Sequence, residues 1–180
     1  MGSGTRGVSI PDVRKLVDAV IERSTGKDSS IHGESHWRRV AAAGLALLPE
    51  TPAADPALVF LFALFHDSMR FNDGRDPLHG PRGAALAAEL RGEAFDLDDA
   101  KMHLLGFACE EHTNGGVGSD ATVGVCWDAD RLNLWRVGIR PDPRLLSTGA
   151  ARNGGRIMWA RDLQREHVDW EALYRGFGLR

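Results

Sequence analysis

The stretch ALVFLFALFHD constrains this chain more than any other part of its sequence. Residues 57–65 are all apolar, and His66 and Asp67 follow them directly. Such a run needs burial on every side, yet it is too short to cross a bilayer. It therefore predicts a helix in the core of a globular protein. An imidazole and a carboxylate at the end of this helix are costly to bury unless something binds them, and a divalent cation is the usual partner.

The composition is that of a globular protein with no general attraction for nucleic acid. The 180 residues suit one domain, and 43% of them are hydrophobic and 26% charged. Because 25 Asp and Glu outnumber 22 Lys and Arg, no broad cationic face for a nucleic-acid backbone is expected. The polar N-terminus, MGSGTRGVSI, lacks the apolar core of a signal peptide. We expect a cytoplasmic protein that has neither a membrane nor a nucleic acid as partner.

Helix signals recur along the chain, whereas no window shows the alternation of a half-buried strand. Capping residues, early prolines and apolar residues at helical spacing mark the starts. The predicted helices begin near Ser9 to Asp12, Ser35, Asp55, Pro81, Asp96 or Asp98, and Asp120, and a partly helical region follows Ser147 or Thr148. The fourth predicted helix begins at Pro81, and the sixth ends at about Leu134. We predict an all-α helical bundle forming one domain over residues 1–180, with a motif core at about 30–140 and a C-terminal extension at 141–180.

Two imidazoles and two carboxylates stand in three separate segments of this bundle. His36 lies in HGESHWRRV, His66 and Asp67 end the apolar run, and Asp130 lies in CWDADRLNLW. Asp128 and Asp130 point to different faces of a helix, because two residues turn it by about 200°. Only one of them should therefore join a common site. Imidazole and carboxylate ligands without thiolate suit Mn, Fe, Co, Ni, Zn or Mg.

The order of these motifs resembles the HD-domain superfamily of metal-dependent phosphohydrolases. The elements HxxRV, HD and ADRL occur in the family's order, and HDSMRFNDGRDPLHG is similar to a subgroup of small bacterial members. The resemblance implies a divalent metal ion held by His36, His66, Asp67 and Asp130. It further implies that the metal activates water for attack on a phosphate ester. The expected partner is thus a small-molecule phosphate ester, such as a nucleotide or a related phosphomonoester.

The catalytic acid or base and the phosphate-binding residue stand outside the three motifs. Many HD enzymes carry an acid three or four residues after the HD pair, where this chain has Arg70 and Phe71. We therefore expect Asp73 or His79 to be the catalytic acid or base. Arg70 is the candidate for binding the substrate's phosphate, since a guanidinium group matches phosphate geometry.

Other polar residues leave alternatives open. His32 and His112 are expected at substrate-binding positions near the site. Some members of the family that the chain resembles hold a second metal through extra histidines, and His79 or His112 would serve such a site. Arg136 and Arg140 either reach the substrate or are solvated.

Three functions fit these features. The leading hypothesis is a phosphohydrolase acting on a small ester, and the second is a phosphodiesterase or nuclease, which the acidic net charge disfavours. The third is a metal- or nucleotide-binding module with little turnover, which the missing acid after the HD pair supports. The sequence does not specify the metal, the substrate or the oligomeric state.

Overall fold

Helices make up the regular secondary structure of residues 8–179, the part of the chain that the computed structural model describes. The α-helices are α1 (Val13–Arg23), α2 (Glu34–Leu47), α3 (Pro56–Phe65), α4 (His79–Leu90), α5 (Asp99–Glu111), α6 (Ala121–Leu132), α7 (Gly149–Arg152), α8 (Gly154–Leu163) and α9 (Trp170–Phe177). Short 3₁₀ helices span Leu48–Glu50, Asn133–Val137 and Pro143–Leu145. The predicted all-α fold is confirmed. The ends of the predicted domain, residues 1–7 and 180, lie outside the described residues, as does most of the polar N-terminal segment.

Helix α3 is the centre of the fold. Every residue from Leu58 to Phe65 is buried, and the helix contacts α1, α2, α4, α5, α6 and α9. Each buried Leu or Phe stabilises the fold by about 1.5–3 kcal/mol. The helix begins as predicted: the Asp55 carboxylate accepts hydrogen bonds from the N–H groups of residues 57 and 58, and Pro56 takes the first helical position. The HD pair therefore lies at the C-terminal end of a helix that is surrounded by others.

Two glycines bring α4 close to its neighbours. A Cβ atom on Gly83 would lie 2.2 Å from the carbonyl oxygen of Phe65, and one on Gly80 would lie 2.2 Å from that of Cys109. No larger residue allows the backbones to approach this closely. His79, next to Gly80, is thereby held near both the HD pair and the C-terminal end of α5.

Helix α1 begins later than a cap at Ser9 would require. Asp12 is the capping residue, and its carboxylate accepts hydrogen bonds from the N–H groups of residues 14 and 15. Ser9 instead exchanges two backbone hydrogen bonds with Asp96, at 2.9 and 2.8 Å. The backbone of Ser9 is therefore engaged in an isolated β-bridge rather than at the helix start.

Two further helix boundaries differ from the predicted ones. Helix α4 begins at His79 rather than at Pro81, because proline is tolerated throughout the first turn, where backbone N–H groups have no partner within the helix. Helix α6 ends at Leu132 rather than at Leu134, since the chain tightens into the 3₁₀ helix Asn133–Val137. Both differences affect the site, as His79 and the end of α6 contribute to it.

No helix within residues 8–179 has the length and apolar character needed to cross a bilayer.

Candidate metal centre

The four residues predicted as metal ligands lie together at the end of α3. The Nε2 atoms of His36 and His66 are 3.2 Å apart. Oδ2 of Asp67 is 3.6 Å from the first of these nitrogens and 3.7 Å from the second. Oδ1 of Asp130 is 3.2 Å from Nε2 of His36 and 3.9 Å from that of His66. We call these four residues the first ligand group.

A second ligand group, formed by Asp67, His79 and His112, lies beside the first. Oδ1 of Asp67 is 3.2 Å from Nε2 of His79 and 3.7 Å from Nε2 of His112. The two imidazole nitrogens are 2.9 Å apart, and all three residues are buried. Asp67 therefore joins both groups, with Oδ2 towards the first and Oδ1 towards the second.

Backbone carbonyl groups orient three of the four histidines. The Nδ1 atoms of His66, His79 and His112 donate to the carbonyl oxygens of Phe62, Asp76 and Cys109, respectively. Because a carbonyl oxygen only accepts, Nδ1 carries the proton and Nε2 of the neutral ring presents a lone pair. Histidines that bind metal ions usually make this second hydrogen bond, which fixes both the tautomer and the ring orientation.

The contacts within the two groups fit divalent cations. The facing Nε2 atoms of the neutral His79 and His112 rings, 2.9 Å apart, bring two lone pairs together. Nε2 of His66 also presents a lone pair, 3.2 Å from Nε2 of His36, and the buried Oδ1 of Asp130 accepts no hydrogen bond from the described residues. Such contacts are unfavourable unless a cation lies between the atoms. Metal–ligand bonds of about 2.0–2.2 Å place neighbouring ligand atoms roughly 3 Å apart. The distances between nitrogen and oxygen ligand atoms in both groups are of this size.

Burial and neighbouring charges set the protonation states of the first ligand group. Burial lowers the pKa of His36 to about 4 and that of His66 to about 3. Burial alone would raise the pKa of Asp67 and Asp130, but the neighbouring histidines, together with Arg136 beside Asp130, hold both well below the usual range. The imidazoles are therefore neutral and the carboxylates charged at neutral pH, which are the forms that bind metal ions.

The second ligand group contains histidines with opposite pKa shifts. Burial lowers the pKa of His79. Burial would also lower the pKa of His112, but the adjacent carboxylate of Asp67 raises it. Binding of a cation to this group therefore competes with a proton on His112 more strongly than with one on His79.

Arg70 lies against Asp67 and the loop that follows the HD pair. Its Nη1 is 3.3 Å from Oδ1 of Asp67, its Nη2 donates to the Gly74 carbonyl at 2.8 Å, and its Nε donates to the Asn72 carbonyl at 3.3 Å. Each guanidinium nitrogen thus has an acceptor within the protein. The phosphate contact predicted for Arg70 would require it to exchange one of these hydrogen bonds.

Arg136 approaches the first ligand group from the 3₁₀ helix after α6. Its Nε donates to the Ile31 carbonyl at 2.8 Å and its Nη1 to the Asn133 carbonyl at 3.1 Å. Nη1 also lies 3.6 Å from Oδ1 of Asp130. No described residue accepts a hydrogen bond from Nη2. Of the two arginines left open by the sequence, Arg136 is at the site, whereas Arg140 is exposed and does not line the adjacent cavity.

His32 and Asp73 lie farther from the centre of the two groups. Nδ1 of His32 is 2.9 Å from Oδ2 of Asp67, and 13% of its side chain is exposed. Asp73 is exposed and accepts a hydrogen bond from the hydroxyl of Ser29. Of the two residues predicted as catalytic acid or base, only His79 lies beside the HD pair, as a member of the second ligand group.

Asp128 serves a different part of the structure from Asp130. Its carboxylate accepts hydrogen bonds from the Ser147 N–H, the Thr148 N–H and the Thr148 hydroxyl, at 2.6, 2.7 and 2.8 Å. It therefore holds the segment that leads into α7. The two acids of α6 lie on different faces, as their spacing predicts, and Asp130 is the one beside the histidines.

Both ligand groups open onto one cavity of about 640 Å³. Asp67, His79, His112 and Asp130 reach its surface, as do the side chains of Arg70 and Arg136. This volume lies in the range of small-molecule sites, about 300–1,000 Å³. The cavity therefore gives a small ligand access to both groups.

No protein-family model, curated protein or solved structure matches the chain.

Two features of the site were not predicted from the sequence. The pairing of His79 with His112 depends on how α4 packs against α5, and the only local signal is Gly80 beside His79. The anchoring of Arg136 depends on the tight turn after α6. Its position six residues after Asp130 would place it on a different face if the helix continued.

Proposed function

We propose that this chain belongs to the HD-domain superfamily and is a metal-dependent phosphohydrolase that acts on a small phosphate ester. The observation that carries the proposal is the convergence of four buried imidazoles and the Asp130 carboxylate around Asp67. The order of His36, the HD pair and Asp130 along the chain supports the same assignment. The cavity next to the ligand groups is of a size for a small substrate.

We propose that each ligand group holds one divalent cation. The first group is the site predicted from the sequence, and the second follows from the positions of His79 and His112 beside Asp67. A bound divalent cation lowers the pKa of a coordinated water and offsets negative charge on a phosphate. Because His79 lies in the second group, we propose it as a ligand, and Asp73 remains the predicted acid or base.

The two arginines at the site receive different roles in this proposal. Arg136 binds the phosphate of the substrate, since two hydrogen bonds to backbone carbonyls place it beside Asp130 and its Nη2 has no acceptor among the described residues. Arg70 positions the Asp67 carboxylate, because its own nitrogens already have acceptors. His32, which contacts Asp67 and lines the cavity, stays a predicted substrate-binding residue at the entrance.

The test is release of inorganic phosphate from a panel of phosphomonoesters by protein loaded with Mn or Co. Nucleoside monophosphates, cyclic nucleotides and oligonucleotides are compared at one metal concentration. Cleavage of the cyclic nucleotides and oligonucleotides is followed by chromatography of their products, because hydrolysis of a diester releases no inorganic phosphate. We expect phosphomonoesters to be the best substrates and Asp130→Asn to abolish their turnover. Asp128→Asn is the matched control, because it changes the other acid of α6 and should leave activity in place.

Two results would contradict the proposal. Faster cleavage of oligonucleotides than of monoesters, falling steeply as salt increases, would identify a nuclease. Binding of metal and nucleotide without turnover of any ester would identify a binding module.

A further inference from the structure

One wall of the cavity is aliphatic. Val137 and Leu145 line it, although 41% and 56% of their surfaces are exposed. Leu134 and Leu146 continue the same wall, and all four come from the segment between α6 and α7. Large apolar side chains grouped at the mouth of a cavity mark a binding surface rather than an ordinary protein exterior.

Polar and apolar side chains reach the cavity from different parts of the chain. Most of the polar ones lie in residues 67–80 and 110–114, whereas most of the aliphatic ones lie in residues 134–146, where Arg136 and Asp142 also line the cavity. Arg136 stands within the aliphatic segment, 3.6 Å from Asp130 of the first ligand group. A ligand whose phosphate meets Arg136 and the ligand groups therefore has an aliphatic surface directly beside that phosphate.

The cavity offers little for the recognition of a base by stacking. No Phe, Tyr or Trp of residues 8–179 lines it, and aromatic rings are the side chains on which bases usually stack. The aliphatic side chains cannot hydrogen-bond the hydroxyl groups of a sugar. The four aliphatic side chains therefore fit an apolar part of a substituent.

We propose that the substrate is a phosphate monoester of a predominantly aliphatic group, and that Val137 and Leu145 bind this group. The inference rests on the proposed function, because it places the phosphate at the two ligand groups. Continuity of the aliphatic wall with those groups in one cavity favours a substrate substituent over a second copy of the chain.

Calorimetric titration of Mn-loaded protein with methyl-, butyl-, hexyl- and octylphosphonate tests the inference without relying on turnover. These compounds keep the charged head and vary only the chain. We expect Kd to fall by about fourfold per methylene until the wall is covered, which corresponds to about 0.8 kcal/mol for each buried CH₂. If the Kd of the wild-type protein did not depend on the length of the alkyl chain, the inference would be overturned.

A double variant, Val137→Ser with Leu145→Asn, assigns the effect to the wall. We expect it to bind methylphosphonate and Mn as the wild type does. It should lose most of the gain in affinity that longer alkyl chains give the wild type. The matched control is Val117→Ser, which changes a valine that is 47% exposed and does not line the cavity. If the double variant kept the full gain in affinity with chain length, Val137 and Leu145 would not bind the alkyl chain.

Further outcomes separate this inference from the proposed function. Chain-length-dependent binding of phosphonates, together with no hydrolysis of any ester, would support the wall's role and refute the phosphohydrolase. Hydrolysis of esters with no dependence on chain length would refute the inference alone. It would also be refuted by nucleoside monophosphates binding more tightly than octylphosphonate, or by a wild-type dimer that the double variant dissociates.

Discussion

Replacement of Gly80 by alanine tests how the second ligand group is assembled. The new Cβ atom would lie 2.2 Å from the carbonyl oxygen of Cys109, whereas ordinary contacts begin at 3.4 Å. Helix α4 must therefore move from α5 by about 1 Å. The same carbonyl accepts the Nδ1 hydrogen bond that orients His112, at 2.7 Å. A metal site tolerates deviations of only about 0.2 Å in its ligand distances, so this movement is large enough to disrupt the pairing of His79 with His112.

The expected result is a loss of one bound metal ion and of stability. Overpacking of this kind lowers the free energy of unfolding by about 1–3 kcal/mol. Metal content is measured after removal of loosely bound ions, and stability is measured by denaturant unfolding. Gly106→Ala is the matched control on α5, because its Cβ would meet no atom within 4 Å; it should keep the metal content and raise stability by about 0.4–1 kcal/mol. If Gly80→Ala kept both its metal content and its stability, as this control should, the close approach of α4 to α5 would not be what assembles the second ligand group.

Three further substitutions have distinct expected effects. Asp128→Asn should keep the metal content but lower the free energy of unfolding, measured in denaturant, by about 1–3 kcal/mol. The reason is that the new amide cannot accept all three hydrogen bonds from residues 147–148. Loss of metal from this variant would contradict the prediction. Arg70→Lys should weaken metal affinity by about 10–100-fold in competition with a chelator, since the fork that contacts Asp67 is lost; unchanged affinity would exclude a positioning role. Arg136→Lys should raise KM with little change in metal content, and unchanged kinetics would remove it from phosphate binding.

The helices were largely predictable because their start signals are local. The caps Asp55 and Asp120 are observed as predicted, and Asp98 is the one of the two candidates for α5 that caps the helix. Each acts through the N–H groups of the next few residues. The buried run in α3 is likewise recognised from its own residues, because nine apolar residues in succession must be hidden from water whatever surrounds them. The start of α4 was misplaced because Pro81 is compatible with several positions in the first turn.

The candidate site was only partly predictable because its contacts are mostly between helices. The first ligand group follows from motif order, which the resemblance provides. The approach of His79 to His112 instead depends on a glycine contact between two helices, and periodicity within one helix does not report it. Two of the three acceptors of Arg70 are backbone carbonyls of a loop, and no side-chain pattern predicts where those carbonyls lie.

Elemental analysis of purified, metal-saturated protein tests the central claim most directly. We expect two divalent ions per chain in the wild type, one in His36→Ala, one in His79→Ala and none in Asp67→Ala, with circular dichroism confirming that each variant is helical. This pattern follows if Asp67 is shared by both ligand groups. Retention of either ion by Asp67→Ala, or the absence of any ion from the saturated wild type, would contradict the account.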